Sequence, residues 1–172
     1  LLRQIGIEPA EILAPDIDET PRAREKPRPH ALRLATEKLA AVQADGFVIA
    51  ADTVVAAGSR ILPKTEDLAV AQTCLRLLSG RRHDVFTAVA IRAPDGRQVC
   101  RVVDSVVGFS RLDDGQIKAY LASEEWRGKA GGYAIQGRAA AFIDFLSGSY
   151  SAVVGLPLHE TAKLLRGLGC KC

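Results

Sequence analysis

Long apolar runs are missing from this sequence. No stretch reaches the roughly 18–20 residues that a membrane-spanning helix requires, and no secretory signal is visible. Metal-ligand spacing among the cysteines is missing too. Cys74, Cys100, Cys170 and Cys172 form no C-x-x-C pair, and Cys170-Lys171-Cys172 has no histidine pair nearby. That argues against a zinc site and for free thiols in a reducing cytoplasm. His30, His83 and His159 stand apart from one another and read as surface or capping residues. There is no G-x-x-x-x-G-K-[ST] phosphate loop and no G-x-S-x-G nucleophile elbow. The net charge of +3 is dispersed, and its one basic cluster, Arg22 to Arg28, is broken by Glu25 and Pro27. Neither nucleic acid nor a membrane is therefore expected as a partner.

What is present is an ordinary globular composition, 48% hydrophobic and 25% charged over 172 residues, enough to build a core. The chain opens Leu1-Leu2-Arg3-Gln4-Ile5-Gly6 without an initiating methionine and reads as a piece whose first element lies outside it. Ala10 to Ala14 is a candidate short strand, and Pro15 to Pro29, with four prolines, a loop. Leu32, Leu34, Ala35, Leu39 and Val42 give a helical stripe over His30 to Ala44. Gly46 to Ala57 reads as a buried strand, Arg60 to Leu62 as a short extended return, and Glu66 to Ser79 as a helix stopped by Gly80. Val85 to Ala93 and Gln98 to Phe109 flank Pro94-Asp95-Gly96 as strand, turn and strand. Asp113 to Ser123 suits a helix, Gly131 to Gly137 a glycine turn, Ala141 to Leu146 a strand and Leu158 to Leu168 a closing helix. The order predicts an α/β fold on a mixed sheet.

Within the Val48 to Val55 run, Asp52 is a carboxylate among apolar residues. Burying it unpaired costs several kcal/mol, so it should face a cleft, a cation or a metal. It is either a general base or metal ligand at a sheet edge, or a strand-ending cap. Lys64 follows twelve positions later and could meet a phosphate, although a lone lysine is ordinarily solvated. The same holds for Lys38, on the polar side of the first helix. Gln136 sits among glycines, and its amide offers a donor and an acceptor suited to a nucleobase edge. Asp16-Ile17-Asp18-Glu19-Thr20 formally matches the D-x-D-x-T nucleophile signature of haloacid-dehalogenase-type phosphatases, but Pro15 sits where a hydrophobic strand should lead in.

Taken in order, these segments resemble the Maf family. The likeness runs through Glu19-Thr20-Pro21, Arg33-Leu34-Ala35-Thr36-Glu37-Lys38, Ala51-Asp52-Thr53, Lys64, Leu78-Ser79-Gly80-Arg81-Arg82-His83, the Gly131 to Gly137 turn and Gly148 to Pro157. The resemblance implies one Maf-like domain over 1–172, a two-lobed α/β fold with an elongated mixed sheet and a central cleft. It implies a nucleoside triphosphate pyrophosphatase that takes Mg²⁺ or Mn²⁺, works as a cytoplasmic homodimer and releases pyrophosphate. Asp52 matches the proton acceptor, and Glu19, Lys38 and Lys64 match other active-site positions, with Asp52 and Glu19 as the metal-holding pair. Thr53 and Gln136 match positions tied to substrate choice, and an Asp-Thr pair resembles the subgroup acting on dTTP and UTP. A non-catalytic nucleotide-binding regulator of cell division is the alternative. The family's opening Ser-x-Ser-Pro-Arg-Arg does not occur in this chain, Pro63 stands where glycine is common, and Thr65 where proline is common.

Overall fold

The computed structural model describes residues 1–171. Five strands form one sheet: β1 (Val48–Ala57), β2 (Arg60–Leu62), β3 (Arg82–Arg92), β4 (Gln98–Phe109) and β5 (Ile143–Ser147), in the order β2-β1-β3-β4-β5. The helices are α1 (Pro27–Ala41), α2 (Leu68–Leu78), α3 (Asp114–Leu121), α4 (Tyr150–Val154) and α5 (Leu158–Gly167). No helix among the described residues is long and apolar enough to cross a membrane. The α/β class stands, but every pairing between these strands is antiparallel rather than mixed. The reason is local. β1 turns into β2 through Gly58, and β3 turns into β4 through Gly96, so neighbours in sequence become neighbours in the sheet.

Strand side chains alternate between faces, and here the two faces carry different cargo. On one face Val48 and Val54 of β1 and Ala88 and Ala90 of β3 pack under Ala31, Ala35 and Leu39 of α1. The other face holds two separate apolar clusters. Val55, Val85 and Val107 join α2, α3 and the fully buried Trp126, while Val89 and Ile91 meet Leu156, Leu165 and Leu168. Between those clusters the face carries Thr53 and Thr87, which pair across β1 and β3. A cleft is cut at this polar interruption. β2 pairs with β1 only at Val55 to Ala57.

Several boundaries differ from the sequence reading. Ala10 to Ala14 is no strand: Ile12 and Leu13 are exposed and pair with no strand among the described residues. α1 starts at Pro27, because proline at the first helical position is already set for the turn and needs no amide partner. Arg92 ends it by donating to the carbonyls of Leu39 and Val42. The short α4 and a 3₁₀ turn over Leu2–Ile5 were not expected from pattern. His30 and His83 are buried rather than superficial. α2 is capped by Asp67, which accepts from the amides of Ala69 and Val70, and α3 by the reciprocal Asp113 and Gln116 capping box. Cys74, Cys100 and Cys170 are free thiols; Cys172 of the terminal triplet lies outside the described residues.

The glycine turn is pinned against the β2 return. Gly131 N donates to Pro63 O, Gly128 N donates to Thr65 O, and Ala130 bridges Lys64. Thr65, in place of the usual proline, accepts from Asp67 N through its hydroxyl at 2.9 Å. Gly131 has φ +70°, and a Cβ there would lie 2.9 Å from Val55 Cγ1. Gly131→Ala is therefore expected to cost about 1–3 kcal/mol and lower Tm by several degrees in thermal unfolding followed by circular dichroism. Gly46→Ala, at a position with open space around it, should leave Tm within a degree or two of wild type.

Candidate active site

Asp52 is 4% exposed, in the middle of β1 on the face that α1 covers. Its Oδ1 accepts from Lys38 Nζ at 2.6 Å and from Lys64 Nζ at 2.8 Å. The same ammonium groups grip Glu19 from either side, Lys38 at Oε1 (2.5 Å) and Lys64 at Oε2 (2.7 Å). The result is a closed ring of two carboxylates and two ammonium groups. Each member arrives by a different route. Lys38 precedes the buried Leu39 on α1, so packing of the helix stripe on β1 carries it to the strand. Lys64 arrives because β2 doubles back along β1, with Val55 opposite Leu62. Glu19 comes from the loop before α1.

Burial alone would push the Glu19 carboxyl upward, but hydrogen bonds from Lys38 and Lys64 outweigh it and leave it below its ordinary value. Burial likewise works against the Lys38 charge, and its bonds to Asp52 and Glu19 more than restore it. Both groups are thus ionised at neutral pH. One atom is left over: Asp52 Oδ2 is buried and has no hydrogen-bond partner among the described residues.

The loop that delivers Glu19 is held by Arg33. Its guanidinium donates to Glu25 Oε1 at 2.8 Å and Oε2 at 2.9 Å, to Glu37 at 2.9 Å and to the Thr20 carbonyl at 3.0 Å. Glu25 Oε2 also accepts from Arg22 N and meets His30 Nδ1, each at 2.9 Å. Asp18 accepts from Thr20 N, a local turn contact. Asp16 and Asp18 lie in this irregular loop, with no strand leading to them, so the D-x-D-x-T match lacks the structure a phosphatase nucleophile needs.

Beside the ring lies a cleft of about 250 Å³, lined among others by Asp52, Thr53, Lys64, Lys129, Tyr133 and Gln136. Gln136 is exposed at its rim, and Val153 to Gly155 form part of the opposite wall. The fold therefore gathers Asp52, Lys38, Lys64 and Glu19 into one cluster and sets Thr53 and Gln136 along the adjoining cleft. Pattern reading missed Lys129, a further cation, and Tyr133, whose hydroxyl lies 2.8 Å from His83 Nε2. Burial drives the His83 pKa down to about 4, so that ring is neutral at pH 7. Arg33 and Glu25 were visible only in part. The Arg33–Glu37 pair has helical i,i+4 spacing, whereas Glu25 is brought in by the loop.

The family model described as Maf-like protein matches residues 1–168. Similar curated proteins include a dTTP/UTP pyrophosphatase of Caulobacter vibrioides, 58% identical over 98% of this chain and 89% of its own length. Another dTTP/UTP pyrophosphatase, of Novosphingobium aromaticivorans, is 56% identical over 98% of this chain and 86% of its own. One from Granulibacter bethesdensis is 57% identical over 98% and 87% respectively.

The Arg33 anchor makes the loop acid-sensitive. The hydrogen bond from Arg33 holds the Glu25 carboxyl down to about 2, against an ordinary 4.5, with burial opposing and Arg22 N and His30 assisting. A carboxyl whose folded pKa is depressed adds stability above its unfolded pKa and loses it as pH falls through the folded one. The contribution of Glu25 should thus fade between about 4.5 and about 2. Glu25→Gln is expected to be less stable than wild type at pH 7, with the two Tm values converging across that acid interval.

Proposed function

This chain belongs to the Maf family, and from that membership we propose that it hydrolyses dTTP and UTP to the nucleoside monophosphate and pyrophosphate. The observation that carries the proposal is the ring of Asp52, Glu19, Lys38 and Lys64 beside a cleft, with one carboxylate oxygen of Asp52 unpartnered. An ammonium group has three protons, and each lysine here commits two to the ring. The third can meet a phosphate oxygen without dismantling the cluster. A triphosphate carries about four negative charges, and cleavage gathers more on the departing group, so positioning and charge neutralisation dominate phosphoryl-type transfers.

In the proposed reaction Asp52 Oδ2 accepts a proton from a water that attacks the α-phosphorus. The bond from that phosphorus to the bridging oxygen breaks, and pyrophosphate leaves against Lys38 and Lys64. Glu19 holds the two ammonium groups apart, one at each carboxylate oxygen.

The donor set can be tested for a divalent ion. No group of three or more His, Cys, Asp or Glu suited to a metal occurs among the described residues. Two carboxylates are present, and one oxygen of Asp52 is free. That suits Mg²⁺ or Mn²⁺ held by Asp52 and Glu19 on the protein side, with phosphate and water completing the shell, the usual habit of a magnesium site. Such an ion would supply further neutralisation of phosphate charge. The proposal of a cytoplasmic homodimer rests on the family resemblance.

The deciding experiment is a nucleotide panel with Mg²⁺, both products identified by chromatography. Pyrophosphate with monophosphate is expected, and orthophosphate would overturn the reading. Asp52→Asn should lower turnover of UTP by about 10²–10⁴-fold while circular dichroism shows a folded protein. Gln136→Ala should change the ratio of pyrimidine to purine turnover; an equal fall for every base would exclude a base-reading role.

A further inference from the structure

Thr87 is completely buried in the middle of β3, followed by Ala88, Val89, Ala90 and Ile91. Valine would fill the same volume without burying a hydroxyl, so the oxygen needs a reason. It lies opposite Thr53 in the β1–β3 ladder, with the two Oγ1 atoms 3.0 Å apart. Thr87 Oγ1 is also 2.7 Å from the backbone carbonyl of Ala152. A carbonyl only accepts, and a hydroxyl has one proton. The Thr87 proton is therefore committed to Ala152, and the contact between the threonines must use the proton of Thr53. Thr53 thus points its hydrogen into the protein. Its remaining hydrogen-bonding capacity consists of lone pairs, and Thr53 lines the cleft.

The acceptor that sets this polarity is itself fixed. Ala152 N donates to Ser149 Oγ at 3.2 Å, and Ser149 N donates to Ser105 Oγ at 3.1 Å. Gly155 N donates to the same Ala152 carbonyl at 2.9 Å. Gly148 admits the close approach, since a Cβ there would lie 2.6 Å from Ser105 Oγ. The chain from Ser105 to Thr53 therefore has one consistent direction of proton donation.

We propose that Thr87 is a positioning residue for base selection. By taking the proton of Thr53, it makes Thr53 an acceptor only, and so favours a base whose ring nitrogen carries N–H. Uracil and thymine present such a donor at N3; cytosine presents a lone pair there. This inference rests on the proposed hydrolysis of dTTP and UTP, and it takes the base to lie along the Thr53 side of the cleft. Ala152 keeps its bond from Gly155 when Thr87 is replaced, so Thr87→Val leaves no carbonyl orphaned.

The test compares kcat/KM for UTP, CTP and N3-methyl-UTP in wild type, Thr87→Val and Thr87→Ser. Wild type should cleave UTP and discriminate against both other nucleotides. In Thr87→Val the Thr53 hydroxyl can rotate and donate to cytosine N3, so the UTP to CTP preference should fall by about tenfold or more. Thr87→Ser, which restores the relay, should recover it. A folded Thr87→Val enzyme with wild-type preference would overturn the proposal, as would wild-type cleavage of N3-methyl-UTP at the UTP rate, a result independent of any variant's stability. Absence of UTP cleavage in wild type would instead overturn the activity on which the inference rests.

Discussion

A carboxylate inside a sheet is the constraint on which this structure turns. Asp52 has given up its hydration, and that loss is tolerable only because two ammonium groups reach the same oxygen. Those ammonium groups come from a helix and from a strand return that share no local sequence with it. α1 must dock on β1, β2 must fold back along it, and the acidic loop must close with Glu19 between the lysines. A buried ion ring of this kind is poor value as a stabiliser compared with packed apolar side chains. On the proposed function it is a charge arrangement held ready for a polyanion.

The sheet separates two tasks by parity. Residues of one parity on β1 and β3 face α1 and carry the charged ring; those of the other parity carry Thr53 and Thr87 between two apolar clusters. Asp52 and Thr53, on opposite faces of β1, nonetheless line one cleft. On the proposed function, one nucleotide places its phosphates against Lys38 and Lys64 and its base toward Thr53 and Gln136. Two glycines let the backbone approach closely near the cleft, Gly131 against Val55 and Gly148 against Ser105.

Much of this was legible in the chain. The apolar stripe of α1, the Gly80 stop after α2 and the Pro94-Asp95-Gly96 turn between two strands are local signals, and the elements formed close to where those signals lie. Asp52 stood out because a charge in an apolar run demands a partner. Lys38 and Lys64 looked like solvated lysines on their own, because their partners are 14 and 12 residues away and helix or strand periodicity does not encode that approach. Ala10 to Ala14 carried strand-like composition but met no neighbour. His30 and His83 looked isolated in sequence, yet each is buried against a partner that only the fold supplies, Glu25 and Tyr133.

By itself, the sequence determined most of the elements, the need of Asp52 for a cleft, a cation or a metal, and the glycines that permit close approach, because these follow from backbone sterics and desolvation within a few residues. Only the tertiary structure decided which cations answer that need, which way the sheet pairs and which direction the Thr53 proton points. Those outcomes depend on register, helix docking and the single proton of a hydroxyl, and such properties exist only once distant segments touch.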